Sequence, residues 1–197
     1  DPTIKKFSRF YKKNIHKIPD FFSEDVLKKL LNRKKAKLIT TISMFYDLPD
    51  PVKFVEDIHS CLDTNGIWHL EQSYMPAMIK NISYDTICHE HLEYYSLKSI
   101  KYILDKVGFK IIDIEFNEIN GGSFALTTAK KNSIYREDKK TVQWLLQKEE
   151  TLHYNKLETH KDFYKKCLQQ KLLLTNLLKN LKDMKKKVFG YGASTKG

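Results

Sequence analysis

Cysteine is scarce and scattered. The three residues, Cys61, Cys88 and Cys167, include no Cys-x-x-Cys pair, so neither a disulfide framework nor a zinc knuckle is indicated. Long apolar runs are missing too. No stretch approaches the roughly 20 residues a membrane-spanning helix needs, and no charged stretch followed by an apolar one opens the chain as a secretory leader would. These absences set the expectation of a soluble, cytoplasmic protein with no membrane partner and no metal site in this part of the sequence. Negative charge is also in deficit, 35 Lys and Arg standing against 24 Asp and Glu for a net +11. That excess invites a nucleic-acid reading. The lysines, however, lie in helical segments such as Lys28-Lys29, Lys139-Lys140 and Lys185-Lys186-Lys187 rather than in one aromatic-interleaved patch. A solvated lysine surface is expected instead of an RNA partner, and it is compatible with attraction for anionic small molecules, nucleotide diphosphates included.

What is present suits a globular fold. At 197 residues and 41% hydrophobic composition the chain can bury one sizeable core, or one domain with an appendage. Ile15 to Ile18 reads as a short strand. Ser23 then caps a helix with Glu24 and Asp25 in its first turn and Lys28, Lys29 and Arg33 toward its end, as the macrodipole prefers. Ala36 to Met44 reads as a strand, broken at Leu48-Pro49-Asp50-Pro51. The spacing of Val52, Val55, Ile58 and Leu62 predicts a helix closed by Asn65-Gly66, and residues 67–71 are again extended. Strand, helix, strand, helix, strand with short connections is the pattern of a parallel sheet covered by helices. Farther on, Ser96 caps a helix with the stripe Ile100, Ile103, Leu104 and Val107, ended by Gly108. Two strands, Phe109 to Phe116 and Ser123 to Ala129, joined through Asn120-Gly121-Gly122, predict a hairpin closing the sheet edge.

From about Glu137 to Lys187 glycine and proline are absent and apolar residues recur at helical spacing, with Glu149 a polar exception, so one long helix or two are expected as a connector. Val188 to Ala193 reads as a strand running into a glycine loop. Its backbone N–H groups, with Ser194, Thr195 and Lys196, would suit a phosphate, although a lone Gly-x-Gly serves tight turns equally well. The start at Asp1-Pro2-Thr3 without Met, and the stop at a glycine-rich loop, create the expectation that the chain is the middle of something larger.

The densest chemistry lies in Tyr84 to Leu97, which crowds two imidazoles, three carboxylates and three phenols between two regular elements. On an extended segment His89 and His91 would share one face, with Glu90 on the other. Groups that titrate near neutrality suit proton transfer to or from carbon. A His-x-His is equally a metal-ligand pair or a pair of hydrogen-bonded surface histidines.

Four blocks together resemble a specific family. They are Ile42-Ser43-Met44-Phe45-Tyr46-Asp47-Leu48-Pro49-Asp50-Pro51, the strand from Gly66 to Tyr74, the cluster from Asp85 to Leu97, and Gly190 to Gly197. The chain resembles the S-adenosylmethionine-dependent sugar C-methyltransferases that act on nucleotide-linked keto sugars. The resemblance implies an α/β fold with a partial Rossmann-like class I methyltransferase domain over residues 1–132, a helical connector over 133–187, and from 188–197 the start of a second α/β domain that binds nucleotide sugar. It also implies a zinc-binding region and a first glycine-rich cofactor loop before Asp1.

The resemblance assigns roles. Asp1 would accept from the ribose hydroxyls of S-adenosylmethionine, because a carboxylate can accept from two adjacent OH groups. Asp20 would accept from the adenine amine, or would cap the following helix with Ser23. Phe21 would pack on the adenine. Ser43, Met44 and Phe45 would lie where methyl donor and acceptor meet, Met44 and Phe45 being equally suited to a core. His91 would remove the proton beside the sugar ketone. His89 or a nearby tyrosine such as Tyr95 would hold the developing oxyanion, and Glu90 would orient an imidazole or a sugar hydroxyl. Glu71, Tyr74, Tyr191, Ser194, Thr195 and Lys196 would meet the nucleotide-sugar substrate. Many relatives have Tyr where this chain has Cys88, so a role for that phenol would pass to Tyr84, Tyr94 or Tyr95, and Cys88 could be buried filler. Rival expectations are an O- or N-methyltransferase, which needs no carbon base, and a non-catalytic module.

Overall fold

The computed structural model describes residues 1–32, 34–190 and 192. They divide into two compact units, the first running from Asp1 to Leu152 and the second starting at His153.

In the first unit local chemistry sets most element ends. Helix α1, Glu24–Leu31, starts where the Ser23 side chain accepts from Val26 N at 3.3 Å and stops at Asn32, which turns left-handed with φ of 48°. Arg33 lies outside the described residues. Strand β1, Ala36–Ile42, ends at Ser43, whose φ of +52° turns the chain before a single 3-10 turn, Phe45–Asp47. Helix α2, Pro51–Cys61, has Asp50 as its cap, accepting from Lys53 N at 2.9 Å, and Pro51 in its first turn.

Strand β2, Leu62–Ser73, follows directly. Asn65-Gly66, expected to close the preceding helix, instead lies inside this strand. Ala36 pairs with Leu62 and Leu38 with Ile67, so β2 carries extra residues opposite β1 and bulges there. Gly66 suits the bulge because a Cβ would stand 2.8 Å from the Leu62 side chain and 2.9 Å from the Ala36 carbonyl.

Helix α3, Met75–Asn81, leads into the histidine segment. Helix α4, Leu97–Val107, then opens on a Ser96/Ser99 capping box and closes on Gly108 at φ of 104°. Strands β3, Phe109–Asn117, and β4, Ser123–Lys130, form the expected hairpin, and the sheet order is β1-β2-β4-β3 with β1 parallel to β2 and the other pairs antiparallel. Ile15 to Ile18 is not a strand: none of the four described strands pairs with it, and Ile15 N donates instead to the Lys12 carbonyl in a turn, at 3.1 Å.

Period-2 alternation turns Trp68 and Leu70 to one face of the sheet, where they meet Val55 and Ile58 of α2 and Ile100 and Leu104 of α4 in one apolar core. Two of its polar contacts cross the sheet: Trp68 Nε1 donates to Thr41 Oγ1, and Thr128 Oγ1 donates to the Trp68 carbonyl, each at 3.0 Å. The α/β, Rossmann-like character expected for this region rests on that layer of helices over a mixed sheet.

The expected connector divides into two helices. Helix α5, Lys139–Thr151, contributes Val142 and Leu145 to the core and so belongs to the first unit, which extends past residue 132. His153, at φ of 55°, lies in the break. In the second unit helix α6, Leu157–Asp183, runs 27 residues, with Leu168, Leu174, Leu177 and Leu178 exposed along it. Among the described residues no helix is long and apolar enough to cross a membrane.

Candidate functional site

A cleft of about 920 Å³ opens at the carboxyl end of β1, its wall including Asp1, Asp20, Phe21, Met44, Asp47 and Lys53. Four residues expected around the cofactor, Asp1, Asp20, Phe21 and Met44, are therefore brought together there. The Asp1 carboxylate accepts from Thr3 N at 2.7 Å and from Thr3 Oγ1 at 2.9 Å. Asp20 does not cap α1. Its carboxylate accepts from Phe21 N at 2.8 Å, and Ser23 does the capping. The Phe21 ring is 77% exposed, free to meet a planar ligand.

Ser43 and Phe45 are absent from that wall. Ser43 N donates to the Glu71 carbonyl at 2.8 Å, tying the turn to β2. Phe45 is a core residue, 1% exposed, with its ring 5.2 Å from Tyr95, 6.0 Å from Trp68 and 6.1 Å from Phe54. Apolar burial holds it inside, which corrects the expectation that it touches cofactor.

The turn after β1 distributes its side chains two ways. Met44, Asp47 and Leu48 face the cleft, whereas Phe45 and Tyr46 are buried. Tyr46 meets His91, the ring centroids lying 4.2 Å apart. Leu92 N and Glu93 N both donate to the Tyr46 carbonyl, at 2.9 and 3.1 Å, so the histidine segment is fastened to the turn. The His91 ring is not part of the cleft wall; it reaches the shared turn through Tyr46.

The expectation of an extended His-Glu-His is overturned. His91 N donates to the Cys88 carbonyl at 3.2 Å, closing a turn that sends the two imidazoles to different surroundings. His91 is half-buried on Tyr46, while His89 stands in solvent with Nε2 3.6 Å from a carboxylate oxygen of Glu90. An exposed pair of this kind holds little energy. Among the described residues no group of three His, Cys, Asp or Glu is placed to hold a metal ion.

Tyr95 and Tyr74 are also farther inside than expected. Tyr95 is 4% exposed, and burial, with the charge of Glu93, pushes its phenol far above the usual range, so it stays neutral. Its hydroxyl makes no hydrogen bond among the described residues. Tyr74 donates to a buried carboxylate oxygen of Glu149 at 2.7 Å, so its hydroxyl is committed within the fold and not offered to substrate. Glu71 is half-buried on the sheet face opposite Leu70 and Gln72 and is no part of the cleft wall. Tyr191, Ser194, Thr195 and Lys196 lie outside the described residues.

Sequence reasoning missed Tyr46, the support of His91, and the Lys53–Asp57 ion pair in the cleft wall. The hydrogen bond to Asp57 raises the Lys53 ammonium above its ordinary value. The i,i+4 spacing of this pair within α2 was the available signal. Burial likewise raises the Tyr46 phenol, opposed by a hydrogen bond with Ser43.

A family model described as a methyltransferase domain matches residues 5–114, more than half of the chain. The chain belongs to the methyltransferase-domain family. Directly after that domain, residues 118–197 match a model described as the C-methyltransferase C-terminal domain. Over 186 residues, 94% of this chain, the sequence is 26% identical to C-methyltransferase NovU of Streptomyces niveus; the chain spans 44% of that relative's length. Among solved structures, a SAM-dependent methyltransferase from Aquifex aeolicus shares 14% identity over 64% of this chain and 60% of its own, with a TM-score of 0.44. A putative methyltransferase from Bacillus halodurans shares 13% identity over 59% and 68%, with a TM-score of 0.42.

Proposed function

We propose that this methyltransferase domain works in a C-methyltransferase that transfers a methyl group from S-adenosylmethionine to the carbon beside the ketone of a nucleotide-linked keto sugar. The observation that carries the proposal is the attachment of His91 to Tyr46, in the turn whose other side chains line the cleft with Asp1, Asp20 and Phe21. Methyl transfer to carbon needs a nucleophilic carbon, and a base generates one by removing the proton beside a ketone.

The cleft residues fit the cofactor. Its volume lies in the range of small-molecule sites. Asp1 and Asp20 offer carboxylates to hydroxyl and amine donors, Phe21 offers an aromatic face, and Met44 and Leu48 offer apolar contact. When bound there, S-adenosylmethionine supplies the methyl on a sulfonium.

His91 takes the C3 proton of the sugar on its unprotonated ring nitrogen; the electrons of the broken C–H bond become the enolate. The imidazolium that results carries the proton until it is lost to solvent. Glu90 and His89 are both exposed on the same turn: Glu90 is available to orient an imidazole or a sugar hydroxyl, and His89 to donate to the enolate oxygen, a good donor contributing about 3 kcal/mol. The soluble cytoplasmic setting, the division into catalytic and nucleotide-sugar-binding parts, and substrate contact by Glu71 and the segment around Tyr191 to Lys196 belong to the same proposal.

The test is methyl transfer from S-adenosylmethionine to a dTDP-4-keto sugar by the full-length protein. The proposal expects a product methylated at C3, with transfer lost in His91→Ala. An O- or N-methylated product, or activity indifferent to His91, would favour the rival enzyme, and no cofactor binding would favour a non-catalytic module.

A further inference from the structure

Between Ser73 at the end of β2 and Leu97 at the start of α4 the chain leaves the sheet, and that excursion carries Cys88, His89, Glu90 and His91. Its two ends meet on one side chain from elsewhere. Glu149, on α5 and 6% exposed, accepts from Tyr74 Oη at 2.7 Å at the leading end. At the trailing end the same oxygen accepts from Leu97 N at 2.7 Å, and its other oxygen accepts from Lys98 N at 3.0 Å. A backbone bond reinforces the junction, Met75 N donating to the Tyr95 carbonyl at 2.9 Å. A carboxylate is kept out of water only where donors fill its lone pairs, and all three of these donors come from the ends of the excursion. The third N–H of α4 is already answered by Ser96 Oγ at 3.3 Å, so Glu149 completes the two N–H groups the capping box leaves over.

We infer that Glu149 is a positioning residue for the methyltransferase site: by fixing both ends of the 74–96 excursion it holds His91 on Tyr46. The catalytic meaning of this clamp rests on the reading of His91 as the base; the existence of the clamp does not. Glu149→Gln preserves volume but exchanges one acceptor oxygen for a donor, so Leu97 N, Lys98 N and Tyr74 Oη can no longer all be satisfied.

Hydrogen exchange in the whole chain tests the clamp. In Glu149→Gln the amides of residues 87–93 should exchange about tenfold faster while those of Trp68, Leu70 and Leu126 keep their protection. Tyr74→Phe, which removes only the leading tie, should give a smaller effect confined to the same segment. Unchanged exchange over 87–93, or equal acceleration in the strands, overturns the inference, the second result making Glu149 a residue of global stability only. In the active enzyme Glu149→Gln should lower kcat at least tenfold with KM for S-adenosylmethionine unchanged; equal effects on both overturn the positioning role. Should His91→Ala retain methyl transfer, the base assignment falls, while the exchange result still decides whether the clamp exists.

Discussion

The imidazole of His91 rests against the phenol ring of Tyr46, centroids 4.2 Å apart and planes inclined by 46°. Tyr46 is 7% exposed and its carbonyl accepts the two backbone N–H groups that follow His91, so the ring and the turn around it form the seat of the candidate base. Tyr46→Phe should leave that seat intact, with activity within a few fold. Tyr46→Ala removes a buried aromatic ring and should cost about 3–5 kcal/mol of stability, read as a shift in the urea midpoint. Equal losses of activity in both variants would mean that the hydroxyl, not the ring, matters.

In the cleft, Asp20 and Phe21 are exposed, so their removal should cost affinity and not stability. Asp20→Asn and Phe21→Ala should each weaken binding of S-adenosylhomocysteine about tenfold by calorimetry while melting temperatures hold. Unaltered affinity in both would place the cofactor elsewhere.

His59, half-buried at the end of α2 with its ring edge-on to Phe109 at 5.2 Å, is held below its ordinary value by burial and by Lys130 and Lys35. Unfolding restores an ordinary imidazole near pH 6.5. Above that pH neither state is protonated and stability is at its full value. As pH falls below it, the unfolded chain binds a proton that the folded chain refuses, and stability declines. Urea midpoints at pH 7.5 and 5.5 should therefore differ more in the parent than in His59→Gln. Identical differences would remove His59 from the acid response.

Gly66 is needed for close approach rather than for a turn. Gly66→Ala should destabilise by about 1–3 kcal/mol, because its methyl meets both the Leu62 side chain and the Ala36 carbonyl. A neutral substitution would show that the bulge can open to admit a methyl group.

Much of the fold was legible where chemistry is local. Ser23, Asp50-Pro51 and the Ser96 to Gly108 frame announce helix ends, and alternation across Trp68 and Leu70 announces a buried strand face. Asn65-Gly66 misled because the same dipeptide suits a helix end and a bulge, and only the register against β1 decides. Ile15 to Ile18 misled because a strand requires a neighbour. At the site, the clustering of Asp1, Asp20, Phe21 and Met44 followed from the family pattern, whereas the placement of His91 did not follow from alternation, since a turn at Cys88 replaces the extended segment. Glu149 was visible as a polar break in an apolar stripe, but its partner Tyr74 lies 75 residues away, beyond the reach of any local pattern.

The most direct test of His91 as a carbon base is washout of hydrogen from C3 of a dTDP-4-keto sugar in deuterated water, followed by NMR in the presence of S-adenosylhomocysteine. Proton removal is thereby read without methyl transfer. The account predicts enzyme-dependent deuterium incorporation at C3 in the parent and its loss by at least a hundredfold in His91→Ala, the range of a missing general base, with S-adenosylhomocysteine affinity unchanged. Incorporation at the parent rate in His91→Ala would contradict it.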